Sequence, residues 1–434
     1  MNRTVFEKII DWDKNFNGKA LVLTGAPGTG KTYLSLELAK NFHDSYLYLN
    51  PKNDSKLKKA FLDSEINNAA DFISFLYKYY QIPSEWLTEF LIIVDDYAGF
   101  QKISSIFDRI TVLPLTFRLV MITTNSPTTT LQINCSILKI SPLEFDEYLK
   151  AIGSEWYTEI IRAHYQTKKK IPEIVHKEML NLFRDYLRIG GMPAAINEYL
   201  HTENMLNVSS IHRNIYDIYL AQFKQYEESS IIRLNQLMNQ LSGQLSKENK
   251  NYRYNQIRKG ATHTMYRKEL NNLIDLHLVN KIERADISIE HNNFDLTLHD
   301  NQFRLYPNDS GLLYTLLLSS DTNYSDETEE ENMDVATQKL YQLLLETYLL
   351  QTLETRSVKS VFWESGSLSK IDFIALFDSC ITPIEAKYYE NKRSKSMHVF
   401  CQKYPVINSM KFSLHNFETN GNIINCPVYS MFCL

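Results

Sequence analysis

Ala20–Thr24 and Phe90–Val94 are almost wholly apolar runs, the pattern of strands covered on both faces. YLYLN (Tyr46–Asn50), RLVMITTNS (Arg118–Ser126) and ILKI (Ile137–Ile140) read as three more strands. Helix formers at helical spacing, as in Leu34–Lys40, lie between them. This alternation predicts an α/β, doubly wound parallel sheet within residues 1–150. From residue 151 to about 200 the pattern turns helical and stops at Gly190-Gly191-Met192-Pro193. There glycine permits a left-handed turn and Pro193 opens the next helix. Arg188, just before it, reads as a surface side chain. Met265–Leu278 has the apolar spacing of an amphipathic helix, and LVNKIERAD begins a strand after it. Ser319–Asp334 is acidic and nearly free of apolar residues, the best linker in the chain. A long helix, Ala336–Leu353, follows, with Glu346 in an apolar context. Then come VFWES, the strand pair of IDFIALFDSCITPIEAKYY (Ile371–Tyr389), a basic segment, and strands KFSLHNF and CPVYSMF.

The strand pair permits a geometric deduction. Side chains alternate along a strand, so Glu385 and Lys387 share a face. A two-residue turn at Asp378-Ser379 sets Asp372 opposite Glu385, about 5 Å away. A three-residue turn would set it opposite Ala386 instead. Two carboxylates this close repel unless a cation lies between them. Mg²⁺ suits such an all-oxygen site. Taken alone, the stretch reads first as a hairpin with solvated charged ends.

Length and charge narrow the class. A chain of 434 residues exceeds one ordinary core, so two or three domains are expected. A net charge of −5 excludes a uniformly basic coat but leaves room for a local basic face. Residues 205–285 are such a place: Lys and Arg outnumber acids there, with Tyr252, Tyr254 and Tyr266 interleaved. That face suits DNA phosphates or protein packing. Cys135, Cys380, Cys401, Cys426 and Cys433 have neither zinc-site nor disulfide-framework spacing, so reduced thiols and a cytoplasmic location are expected. No signal-peptide h-region and no membrane-length apolar run is found, so no membrane partner is expected.

The sharpest chemical signal is Gly25-Ala26-Pro27-Gly28-Thr29-Gly30-Lys31-Thr32, which fits GxxxxGK[ST] between a strand and a helix. Backbone N–H groups from Gly25, Pro27–Gly30 and the helix start through Tyr33 are placed to surround phosphate oxygens (Pro27 itself contributing shape rather than a donor). Lys31 is placed to reach the β- and γ-phosphates of ATP, and Thr32 to ligate Mg²⁺. Asp95, at the end of the Phe90–Val94 run, is the second Mg²⁺ group. Asp96 stands where a longer Glu would orient the attacking water, so slow hydrolysis is expected.

Several phrases then align in order: SPLEFDEYL (Ser141–Leu149), DYLRIGGMPAAINEYL (Asp185–Leu200), Gln244-Leu245-Ser246-Lys247, FRLYPNDSGLL (Phe303–Leu313) and the IDF…PIEAK hairpin. Together with the P-loop they resemble a group of bacterial and archaeal ATP-binding proteins. In that group an AAA-type P-loop domain precedes a helical lid, a winged-helix-like segment and a C-terminal domain of unknown function related to the PD-(D/E)XK nucleases. The resemblance implies an ATPase core over 1–150, a lid over 151–204, a winged-helix-like domain over 205–318, a linker over 319–335 and a restriction-endonuclease-like α/β domain over 336–434. It implies that Asn125, or else Thr123 or Thr124, senses the γ-phosphate. It implies that Asp372 and Glu385, supported by Glu346, hold Mg²⁺ while Lys387 serves the phosphate or water. Three departures stand out: Asp96 for the usual Glu, Asn134-Cys135 where a Gly-Arg pair is common, and Lys370 where an acid often precedes the hairpin Asp. Without an identifiable arginine finger, a monomer or dimer is expected. Two functions follow. One is a slow Mg-dependent ATPase whose nucleotide state regulates a nuclease-like domain acting on DNA or RNA. The other is a non-catalytic switch whose C-terminal domain only binds a protein or nucleic acid.

Overall fold

The computed structural model describes residues 3–87, 89–290, 293–320, 334–365, 369–377, 380–389, 395–406 and 408–434. Most of the acidic linker and the Asp378-Ser379 turn lie outside the described residues. The chain divides into two compact units, residues 2–141 with 275–277, and residues 142–274 with 278–434.

In the first unit β1 (Leu21–Thr24), β2 (Tyr46–Leu49), β3 (Leu91–Asp95), β4 (Arg118–Ile122) and β5 (Ser136–Lys139) form one sheet. Its order is β2-β3-β4-β1-β5, and every neighbouring pair is parallel, as the alternation of strands and helices predicts. All of β1 and β3 is buried, which is why neither shows a polar alternate. One face packs Val22, Ile92, Val94, Leu119 and Met121 against Phe61, Phe72 and Phe107. The other packs Leu23, Ile93 and Val120 against Leu34 and Leu38 of the helix Lys31–Phe42. Each such side chain contributes about 1.5–3 kcal/mol on burial. The chain leaves β1 toward β2 and returns past it from β4 to β5, so the crossovers diverge beside β1. Ligands of open α/β sheets bind at the carboxyl ends of strands at such a point.

In the second unit the strands are β6 (Val279–Glu290), β7 (Asn293–Pro307), β8 (Ser360–Ser365), β9 (Ser369–Phe377), β10 (Cys380–Ala386), β11 (Ser409–Ser413), β12 (Glu418–Asn420) and β13 (Ile423–Pro427). They form one mixed sheet in the order β12-β13-β11-β10-β9-β8-β6-β7. The sheet therefore takes strands from both sides of the linker. β6 lies parallel to β8 at Glu283 and Arg284, where its pairing with β7 also shifts register. The expected strand CPVYSMF is displaced: β13 ends at Pro427, which has no N–H to continue a ladder, and Val428–Cys433 winds into 3₁₀ turns. The helix Val335–Thr355 is buried almost all round, as an amphipathic surface helix would not be.

Three of the quoted phrases meet in this unit. Gly190 has φ +73°, and a Cβ there would lie 2.3 Å from Asp309 Oδ1. The Gly191 N–H donates to Asp309 Oδ2 at 2.6 Å, and the Leu143 N–H donates to Gly191 O at 2.7 Å. Burial pushes the fully enclosed Asp309 carboxyl up to about 6 despite its backbone donors. Arg188, expected on the surface, is buried at 7 % exposure, lying over the Tyr314 ring and 3.6 Å from Asp185. Among the described residues no helix is long and apolar enough to cross a membrane.

Candidate functional site

The loop between β1 and the helix Lys31–Phe42 is shaped by its own backbone. Gly25 has φ +142°, and a Cβ there would sit 2.3 Å from Ile140 O, so only glycine fits. Gly28 and Gly30 also have positive φ, Pro27 and Thr29 are buried, and the Tyr33 side chain is exposed. Thr29 Oγ1 closes the loop by donating to Ala26 O. Lys31 is folded over it, its Nζ donating to Gly25 O and Ala26 O at 2.8 Å each. Burial lowers its pKa to about 8, against the pull of Asp95 and Asp96. A polyphosphate favours the charged form. Nucleotide affinity should therefore weaken as pH rises past about 8, by up to about tenfold per pH unit, with proton uptake on binding. Calorimetry in buffers of different ionisation enthalpy checks this.

Thr32 and Asp95 are brought together. Thr32 Oγ1 donates to Asp95 Oδ2 at 2.7 Å, and the Tyr48 hydroxyl donates to the same oxygen at 2.7 Å. Burial raises the Asp95 pKa, and these two donors partly offset it. Asp96 has φ +51°, a region Asp enters more readily than most residues. Its N–H donates to Ile122 O, and its carboxylate pairs with Lys52 at 3.4 Å. Asn125 is held by backbone: its O accepts from Thr24 Oγ1 at 3.0 Å and its N–H donates to Thr123 Oγ1 at 3.0 Å. Thr123 is buried, and Thr124 Oγ1 reaches Asn125 Oδ1 at 3.4 Å.

Two residues here escaped the sequence reading. Arg3, 8 % exposed, donates to Thr29 O at 3.0 Å and Ser141 O at 2.7 Å, bracing the loop from the N-terminus. Nothing local distinguishes it from any N-terminal arginine. His277 has φ +56°, and its Nε2 lies 2.9 Å from Thr24 Oγ1. The single Thr24 hydroxyl proton is directed to Asn125 O, so Nε2 carries the hydrogen and donates. Burial, then Lys139 and Lys31, lower the His277 pKa to about 3, so it is neutral. Its left-handed backbone was the only available signal, and the sequence does not display it.

In the second unit the β9–β10 register pairs Phe373 with Ile384 and Cys380 with Phe377. Continued by one residue, it sets Asp372 opposite Glu385. The carboxylates, however, carry cations of the chain itself. Arg304 Nη1 donates to Asp372 Oδ1 at 2.8 Å and its Nη2 lies 3.4 Å from Glu364. Lys250 Nζ donates to both Glu346 oxygens at 2.6 and 2.7 Å. The Tyr306 hydroxyl and Gln342 Nε2 also donate to Glu346, at 3.0 and 2.9 Å. Lys387 Nζ lies 3.9 Å from Glu385. Burial works to raise the Asp372 pKa, but Arg304, Lys250 and Lys387 hold it well below the usual carboxylate range. Mg²⁺ expected at Asp372, Glu385 and Glu346 would share these carboxylates with Arg304, Lys387 and Lys250. Four acids, Asp372, Glu364, Glu346 and Glu385, face three cations there, and among the described residues no three His, Cys, Asp or Glu form a metal-ligand group. Arg304 lies in the FRLYPNDSGLL phrase and Lys250 just after Gln244-Leu245-Ser246-Lys247, but neither phrase says which acid its cation meets.

A family model described as a domain of unknown function, DUF8612, matches residues 180–323. No curated protein matches the chain. Among solved structures the chain is similar to a Walker-type ATPase of Pyrococcus abyssi, at 12 % identity and TM-score 0.41, over 73 % of this chain and 95 % of that one. It is similar to a STAND signal-transduction ATPase with a tetratricopeptide-repeat sensor from Pyrococcus horikoshii, at 13 % identity and TM-score 0.30, over 82 % of this chain and 45 % of that one. For C. elegans PCH-2 the values are 17 % and 0.27, over 46 % of this chain and 60 % of that one.

Proposed function

We propose that the chain is a Mg·ATP-binding switch with slow hydrolysis. The observation that carries this is the convergence of a buried Lys31 ammonium with the Thr32 hydroxyl and Asp95 carboxylate beside the Gly25–Gly30 loop. The donor set fits the nucleotide: glycine backbone where a Cβ would clash, one desolvated cation, and a hydroxyl–carboxylate pair for Mg²⁺. When bound, Mg²⁺ neutralises charge on the phosphates. The chain's own residues do the rest. Lys31 exchanges two carbonyls for phosphate oxygens. Thr32 and Asp95 are the residues that would hold the metal. Asp96 positions the attacking water, and Thr24, Asn125 and His277 fix the wall beside it. Titration with Mg·ATP in a calorimeter tests the reading: saturable binding is expected, and no heat at millimolar nucleotide would overturn it.

Slow turnover has a specific origin in this reading. Asp96 must leave Lys52 to orient water. Both partners are part-exposed, so their pair is worth at most about 1 kcal/mol. Lys52→Ala should therefore raise ATP turnover by no more than about fivefold, measured as phosphate release. Asp96→Glu should not raise it, because the left-handed backbone costs a longer side chain about 1–2 kcal/mol.

In the same reading residues 151–204 serve as the lid, 205–318 as the winged-helix-like segment and 336–434 as the nuclease-like part. For the output, the ion pairs on Asp372 and Glu346 favour the binding role over metal-dependent cleavage.

A further inference from the structure

We infer that the carboxylate cleft of the second unit is a metal-independent site for a chain of phosphates, with Lys250 and Arg304 as built-in cations where a nuclease would keep its metal. The inference rests on the binding role proposed for the C-terminal part and not on the ATP site.

The geometry has two layers. In the inner layer each acid has a cation of the chain, although Arg304 serves two of them. Arg304, 2 % exposed, is clamped by Asp372 and Glu364 and stacked 4.1 Å from the Phe362 ring centroid. Lys250 caps Glu346 with two short hydrogen bonds. Removing a metal's worth of charge from such carboxylates is what makes the fold tolerable without one, since two uncompensated buried acids would cost several kcal/mol. The outer layer is not matched. A cleft of about 880 Å³ opens above Arg304 and Lys250, and a second of about 440 Å³ opens above Asp372, Glu385 and Lys387. They share Lys370 and Ser396. Their rim carries four exposed lysines, Lys247, Lys339, Lys370 and Lys395, on a protein whose net charge is −5. Glu248 is an exposed acid of the same rim, and Arg304 serves Asp372 and Glu364 together, yet Arg304, Lys250, Lys387 and the four rim lysines still outnumber Asp372, Glu364, Glu346, Glu385 and Glu248, so a ligand meets a net positive field. Two joined clefts with spaced ammonium groups fit successive phosphates of a flexible single strand better than one isolated anion.

A fluorescent single-stranded 20-mer, DNA in one arm and RNA in the other, is titrated with the full chain and followed by anisotropy in EDTA. Binding should persist in EDTA and weaken with salt, with a log–log slope near −3 for about four contacts at roughly −0.7 each. Lys339→Glu with Lys370→Glu should weaken binding at least tenfold and flatten the slope by about 1.4. Inorganic phosphate at an equal concentration of phosphate groups should not displace the strand. The inference fails if neither strand binds at low salt, if binding needs Mg²⁺ or Mn²⁺, if free phosphate competes equally, or if the charge reversals change nothing. Cleavage of the strand that Asp372→Asn abolishes would also overturn it. So would an Asp372-dependent Mn²⁺ signal by electron paramagnetic resonance in nucleotide-free protein. Mg·ATP binding is measured on the same samples, so the ATP-switch reading stands or falls separately.

Discussion

Lys31→Ala should abolish nucleotide binding while leaving the nucleotide-free unit as stable as before, or more so. Charge-assisted hydrogen bonds are worth about 1.5–3 kcal/mol each, so losing the ammonium costs on the order of 100-fold or more in affinity. The stability side has the opposite sign. The fall of the Lys31 pKa from 10.5 to about 8 corresponds to roughly 3 kcal/mol against the charged form at neutral pH. Truncation removes that cost together with two hydrogen bonds to Gly25 O and Ala26 O, which offset part of the gain. Calorimetry with Mg·ATP and thermal unfolding without it separate the two effects. Unchanged affinity would refute the phosphate-binding role of the loop. A large fall in melting temperature would mean that Lys31 supports the fold.

Gly190→Ala should destabilise the second unit by about 3–5 kcal/mol. A left-handed backbone costs an alanine about 1 kcal/mol or more. The larger cost is steric: the new Cβ would lie 2.3 Å from Asp309 Oδ1 and 2.7 Å from Gly311 N. Asp309 cannot yield easily, since it accepts from the Gly191 and Leu312 N–H groups and is fully buried. Asp309→Ala should cost about 2–4 kcal/mol by leaving those donors unpaired. The wild type also carries a pH signature. The folded-state pKa of Asp309 is raised from 3.8 to about 6, so its contribution is fully present below about pH 4 and is lost as pH rises through about 6. Asp309→Asn should lack that dependence. Hydrogen exchange in the helices Pro193–Thr202 and Ser310–Ser320 localises the loss; unchanged protection there in Gly190→Ala would refute this account.

The parts of the molecule legible in the sequence are those set by local chemistry. Strands β1 and β3 announce themselves because burial on both faces excludes polar residues. The shared face of Glu385 and Lys387 follows from a period of two, but the choice between a two- and a three-residue turn did not, and only the β9–β10 register, which pairs Phe373 with Ile384, points Asp372 toward Glu385. What stayed hidden depends on partners distant in sequence. Alternation along β6 says which residues share a face, not that β8 will lie beside it. Lys250 and Glu346 are 96 positions apart, and Arg304 and Asp372 are 68 apart, with no periodicity linking either pair. The Gly190-Gly191-Met192-Pro193 phrase was visible as punctuation, but its specificity comes from Leu143 and Asp309, which crowd it in three dimensions.

The continuous sheet has a consequence for inheritance. A gene fragment encoding only residues 336–434 would begin beyond β6 and β7 and would leave β8 as a raw edge, inviting strand addition by other chains. The same cut would strand Glu346 without Lys250 and Asp372 without Arg304. Recombination cannot pass this C-terminal part on as a self-sufficient cassette. Its smallest heritable piece reaches back at least to Lys250.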